Sequence, residues 1–130
     1  MSQDATPSAP KTRRILVVDD NPDAVDTMAI LLQLERHEVQ TAYDGLEALE
    51  VSERFRPEVV VMDIGIPRLN GFEACRQIRQ SDWGKAVVMV AVTGWGQPGD
   101  RERSDAVGFD FHFAKPVEFA DLKTIIDAIG

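Results

Sequence analysis

A chain of 130 residues has room for one domain and can bury a core without disulfides or a structural metal. Hydrophobic residues make up 44% and charged residues 28%, the balance of an ordinary globular protein. The net charge of -8 argues against direct nucleic-acid binding, which needs a basic face to displace counterions, and no apolar run reaches membrane-spanning length.

Residues 1–12 are mostly small or polar, carry prolines and lack the apolar stretch of a signal peptide. They are predicted to be a disordered tail before a domain over 13–130. Lys11, Arg13 and Arg14 form the only basic cluster and read as a solvated lead-in to the first strand. Cys75 is the single cysteine, so an intramolecular disulfide is impossible. It reads as a small apolar residue on a helix face, and the composition suits a reducing cytoplasm.

The first apolar run, Ile15-Leu16-Val17-Val18, is short, continuous and β-branched, as a strand buried on both faces should be. It stops at Asp19-Asp20-Asn21-Pro22, where Asn21 can cap a helix and Pro22 fits its first turn. Val25, Met28, Ala29 and Leu32 recur at helical spacing. Val39 to Ala42 reads as a second strand, and a helix runs from the Asp44-Gly45 turn to about Phe55. Val59 to Met62 is a third strand ending at Asp63. A loop with Gly65, Pro67 and Gly71 leads to a helix carrying Phe72, Cys75 and Ile78. The fourth strand, Val87 to Val92, ends at Thr93. A glycine-rich loop and a polar helix around Arg101 to Val107 follow. Gly108 introduces a last strand, Phe109 to Phe113, ending near Lys115-Pro116. Leu122, Ile125, Ile126 and Ile129 give the final helix one apolar face. Apolar strands alternating with amphipathic helices predict an α/β fold with a parallel sheet covered on both faces.

In such a sheet, ligands bind beyond the carboxyl ends of the strands. Four strand ends bring Asp19, Asp20, Asp63, Thr93 and Lys115 to that edge. An aspartate at one strand end is commonly a helix cap or turn former. Five such groups at one edge are a site. Crowded carboxylates repel each other unless a cation intervenes, and an all-oxygen donor set suits magnesium better than zinc. Lys115 adds a second positive charge and Thr93 a hydrogen-bond donor, a combination fitted to phosphoryl oxygens.

Four segments carry a family resemblance. They are Ile15 to Asn21; Val61 to Pro67 with Asn70-Gly71; Val92-Thr93-Gly94; and Ala114-Lys115-Pro116. In this order and spacing the chain resembles a bacterial response-regulator receiver domain over about residues 13–129. The resemblance implies a three-layer flavodoxin-like (βα)5 sandwich with sheet order 2-1-3-4-5. It implies that Asp63 accepts a phosphoryl group from a histidine kinase or a histidine phosphotransfer protein. Asp20 then ligates Mg2+ directly, Asp19 largely through water, and the Gly65 carbonyl completes the protein ligands. Lys115 holds one phosphoryl oxygen and Thr93 moves inward to bond another. The output surface implied by the family includes Phe111, His112 and Phe113. A cytoplasmic, self-catalysing phosphoacceptor is expected, not a turnover enzyme. It has no attached output domain, acts on a downstream protein target, and is a monomer or weak homodimer without nucleic-acid or membrane contact.

The sequence departs from the family at His112, where Tyr or Phe is usual, so the switch position carries an imidazole whose charge varies near neutral pH. Trp95, two residues after Thr93, reads as a partly exposed loop aromatic, or alternatively as a cover that limits water access to the site. Three rival readings stand beside this one. A phosphatase of the haloacid-dehalogenase type needs an aspartate two residues after the nucleophile, and Gly65 stands there. Gly94 to Gly99 matches the dinucleotide fingerprint, but after the fourth strand and without a ribose-binding acid beyond the next. A receiver-like module that is never phosphorylated ranks below the switch, because both Asp63 and Lys115 are present.

Overall fold

The structure, a computed structural model, describes residues 12–66, 68–94 and 105–129. Five strands form one parallel sheet: β1 (Arg14–Val18), β2 (Glu38–Ala42), β3 (Val59–Asp63), β4 (Val88–Thr93) and β5 (Phe111–Ala114). Their order is β2-β1-β3-β4-β5, as the family resemblance implied. The helices are α1 (Pro22–Leu34), α2 (Gly45–Phe55), α3 (Gly71–Gln80), α4 (described over 105–107) and α5 (Phe119–Ala128). Residues 1–11 of the predicted tail, Trp95, most of the glycine-rich loop and residues 101–104 of the predicted polar helix lie outside the described residues.

Strand residues alternate between two cores. Leu16, Val18, Val60, Met62, Met89 and Ala91 face α2 and α3, where they meet Val51, Phe72, Cys75 and Ile78. Ile15, Val17, Val59, Val61, Val90 and Val92 face α1 and α5, meeting Val25, Leu32, Leu122 and Ile126. A period-two strand has two faces, and here both are apolar, so helices must cover both. Each fully buried aliphatic side chain contributes about 1.5–3 kcal/mol.

Side-chain oxygens set the helix starts. Asn21 Oδ1 accepts from the Asp23 N–H at 3.0 Å, Asp44 Oδ1 from Glu47 N–H at 2.8 Å, and Asn70 Oδ1 from Glu73 N–H at 3.0 Å. At Gly71, a Cβ would lie 2.7 Å from Ile64 Cα and 2.9 Å from the Asp63 carbonyl oxygen. Only glycine lets α3 start so close to the end of β3.

Two strand starts and one side chain differ from the sequence reading. The Val87 N–H bonds the Gly84 carbonyl of a 3-10 turn (Trp83–Ala86), so β4 begins at Val88. The last strand begins at Phe111, not Phe109. Gly108 turns the chain at φ +109°, and the Asp110 carboxylate takes the Met89 N–H at 2.9 Å. The basic lead-in is not wholly solvated. Arg13 is buried, its guanidinium bonding the Ile129 carbonyl and lying 3.6 Å from Glu58. Arg14 is exposed, as expected.

Candidate phosphoacceptor site

Four strand ends and the chain just beyond them build the site. β1 hands over to Asp19, which is buried, and Asp20, which is exposed. β3 ends on Asp63, also buried. β4 ends on Thr93, and the Lys115 N–H bonds the Thr93 carbonyl at 2.7 Å, extending the β4–β5 ladder by one residue. That register sets Lys115 at the same edge, ahead of a cis bond to Pro116.

The carboxylates are not helix caps, since Asn21, Asp44 and Asn70 fill those positions for the first three helices. Asp19 Oδ1 accepts from the Asn21 N–H at 3.0 Å, and Asp63 Oδ1 from the Gly65 N–H at 3.0 Å. These short-range bonds fix both side chains and leave Oδ2 of each turned to a common point. The Lys115 ammonium occupies it, 2.6 Å from Asp63 Oδ2 and 3.1 Å from Asp19 Oδ2. Burial pulls the Lys115 pKa down, but its bonds to Asp63 and Asp19 outweigh that, leaving it above the ordinary lysine value.

Asp19, Asp20 and Asp63 each offer a carboxylate oxygen, and these oxygens lie within 4.8 Å of one another. No sulfur or imidazole belongs to the cluster, so the donors fit a hard ion such as Mg2+. Gly65 is exposed beside them, and among the described residues a Cβ there would meet only Asp63 Oδ1, at 3.8 Å.

Thr93 is buried, and its Oγ1 lies 3.2 Å from His112 Nε2. His112 is half-buried on β5, between a more exposed Phe111 and a half-buried Phe113. The edge strand thus links the site to the surface expected for output. An open groove of about 820 Å3 leaves the site between α1 and the start of α5, lined by Thr27, Met28, Leu31, Val117 and Phe119 among others. The sequence reading missed it. Its trace in the sequence was Leu31, an apolar residue outside the buried stripe of Val25, Ala29 and Leu32 on α1.

A parallel sheet of order β2-β1-β3-β4-β5 with an acidic cluster and a lysine at its carboxyl edge defines a flavodoxin-like α/β domain. The chain belongs to the response regulator receiver domain family, which matches residues 15–127. It is 33% identical over 116 residues to Protein PilH of Pseudomonas aeruginosa, covering 89% of this chain and 96% of PilH. It covers only 48% of the transcriptional regulator RpaA of Synechocystis, at 26% identity over 89% of this chain. Among solved structures, it resembles the receiver domain of the Pseudomonas aeruginosa sensor histidine kinase PA1611, which has a magnesium ion in its active-site cleft. The TM-score is 0.80 at 33% identity, covering 89% of this chain and 95% of that one. A chain in the co-crystal of the yeast (Saccharomyces cerevisiae) phosphotransfer protein Ypd1 with the receiver domain of Ssk1 gives a TM-score of 0.80 at 26% identity. It covers 90% of this chain and 87% of that one. The receiver domain places the chain in two-component signalling.

Proposed function

We propose that Asp63 accepts a phosphoryl group from a phosphohistidine on a sensor kinase or phosphotransfer protein, and that Lys115 and Thr93 hold two of the incoming oxygens. The observation that carries this reading is the Lys115 ammonium bridging Asp63 and Asp19 at the mouth of a three-carboxylate cluster. In the transfer, an Asp63 carboxylate oxygen forms a bond to phosphorus as the donor's P–N bond breaks, and the imidazole leaves as the neutral ring, keeping the proton its other nitrogen already carries. Lys115 is already within bonding distance of the nucleophile, so it can follow the charge onto the phosphoryl oxygens without a large movement.

Asp19, Asp20, Asp63 and the Gly65 carbonyl are the proposed magnesium ligands. When bound, the ion supplies positive charge that offsets the carboxylates and the phosphoryl oxygens. Gly65 brings no acid or base to the position from which a hydrolase would activate water, which supports a stored phosphoryl group over rapid turnover. The groove beside α1, which Asp63 and Lys115 also line, is proposed to receive the phosphodonor. Thr93 and His112 are proposed to carry the phosphorylation state to the β5 surface and a downstream protein, by shifting the balance between two conformers.

Beryllium fluoride, a phosphoryl mimic, tests this reading by NMR. With magnesium present, the amides of Gly65, Thr93 and Lys115 should shift saturably, and without magnesium they should not. Unmoved amides under both conditions would overturn the proposal.

A further inference from the structure

Thr93 can offer a phosphoryl oxygen one proton, and its direction depends on what His112 does. His112 Nε2 faces Thr93 Oγ1 at 3.2 Å, while Nδ1 is buried with no hydrogen-bond partner among the described residues. Two neutral tautomers are available. With the proton on Nδ1, a buried N–H is orphaned and Nε2 consumes the Thr93 proton as an acceptor. With the proton on Nε2, the imidazole donates to Thr93 Oγ1, and the buried atom is an unfilled acceptor. A buried N–H with no acceptor is rare in proteins, which disfavours the first arrangement. The second arrangement also leaves the Thr93 hydroxyl proton uncommitted.

From this geometry we infer that His112 is a positioning residue: its Nε2–H donates to Thr93 Oγ1 and so aims the threonine proton at the phosphoryl site. The inference rests on the phosphoacceptor reading and deepens it. A phenylalanine or tyrosine ring at this position has no nitrogen to donate, so here the imidazole couples β5 to the acceptor through a hydrogen bond. The chain of donors runs from His112 Nε2–H to Thr93 Oγ1–H to a phosphoryl oxygen, and no proton changes owner.

The test is a mutant cycle read by beryllium fluoride affinity at saturating magnesium. His112→Phe should weaken binding roughly three- to tenfold, the range of one hydrogen bond's net worth. His112→Gln, whose amide N–H2 reaches the Nε2 position, should restore most of the loss. In a Thr93→Ala background, His112→Phe should have no further effect, because the histidine acts only through the hydroxyl. A long-range proton–nitrogen NMR spectrum should show the proton of neutral His112 on Nε2. A proton on Nδ1, or an equal loss from His112→Phe with and without Thr93, would overturn the inference while leaving Asp63 as acceptor. A wild-type protein that binds no beryllium fluoride would remove both.

Discussion

The Lys115 ammonium lies 2.6 Å from Asp63 Oδ2, inside a cluster whose other charges are carboxylates. It therefore has two roles in tension. It attracts the phosphoryl oxygens, and it repels a divalent cation that must share Asp19 and Asp63. Lys115→Ala should slow phosphorylation of Asp63 about 10²- to 10³-fold, the usual loss for one charge-stabilising donor. The same variant should bind Mg2+ at least about tenfold more tightly at low ionic strength, since a like charge a few ångströms away is gone. Isothermal titration reads the second effect, and unchanged magnesium affinity would contradict it.

Arg79 is a structural counterpart far from the chemistry. Its guanidinium bonds the carbonyls of Gly108 (2.6 Å to Nη2) and Gly84 (3.0 Å), and pairs with Asp110 at 2.8 Å. It ties α3 and the 3-10 turn to the chain entering β5, and Asp110 in turn holds the Met89 N–H. Arg79→Met should lower stability by about 2–4 kcal/mol, because buried carbonyls and a carboxylate lose their donor together. Urea unfolding measures this. A loss under about 0.5 kcal/mol would place Arg79 among ordinary surface residues.

His37 gives a pH dependence with a defined sign. Its ring is buried, and Nδ1 accepts the Arg13 N–H at 3.1 Å. Burial, helped by Arg13 and Lys123 and opposed by Asp127 and Glu35, lowers its pKa below the ordinary 6.5. Below pH 6.5 the unfolded chain takes up a proton that the folded one refuses. The stability contribution is complete above that pH and is lost as pH falls through the folded value. His37→Asn, whose amide oxygen can keep the Arg13 bond, should flatten the pH dependence of stability from 6.5 downward. A slope matching the wild type in urea titrations would assign the dependence to other groups.

Much of this architecture was legible in the sequence. Continuous apolar strands such as Val59 to Met62 imply two covered faces, and both faces are covered. Asp19, Asp63, Thr93 and Lys115 converge because parallel strands share a carboxyl edge, which is a property of topology and not of any one residue. What escaped the reading depends on side-chain reach. Nothing in a string of letters shows that the Arg13 guanidinium folds inward to the Ile129 carbonyl, or that the Asp110 carboxylate stands in for a strand residue at Met89. His112 stood out as a departure from the family, but its bond to Thr93 depends on the β4–β5 register, which pairs Ala91 with His112 and Thr93 with Ala114.

The central claim, that Asp63 accepts the phosphoryl group with magnesium, is tested most directly by intact-mass spectrometry after incubation with acetyl phosphate. The wild type should gain one phosphoryl group in Mg2+, mapped to Asp63 by borohydride trapping, and should gain none in EDTA. Asp63→Asn should gain none in either. An adduct of equal yield on Asp63→Asn, or a wild type that remains unmodified in Mg2+, would contradict the account.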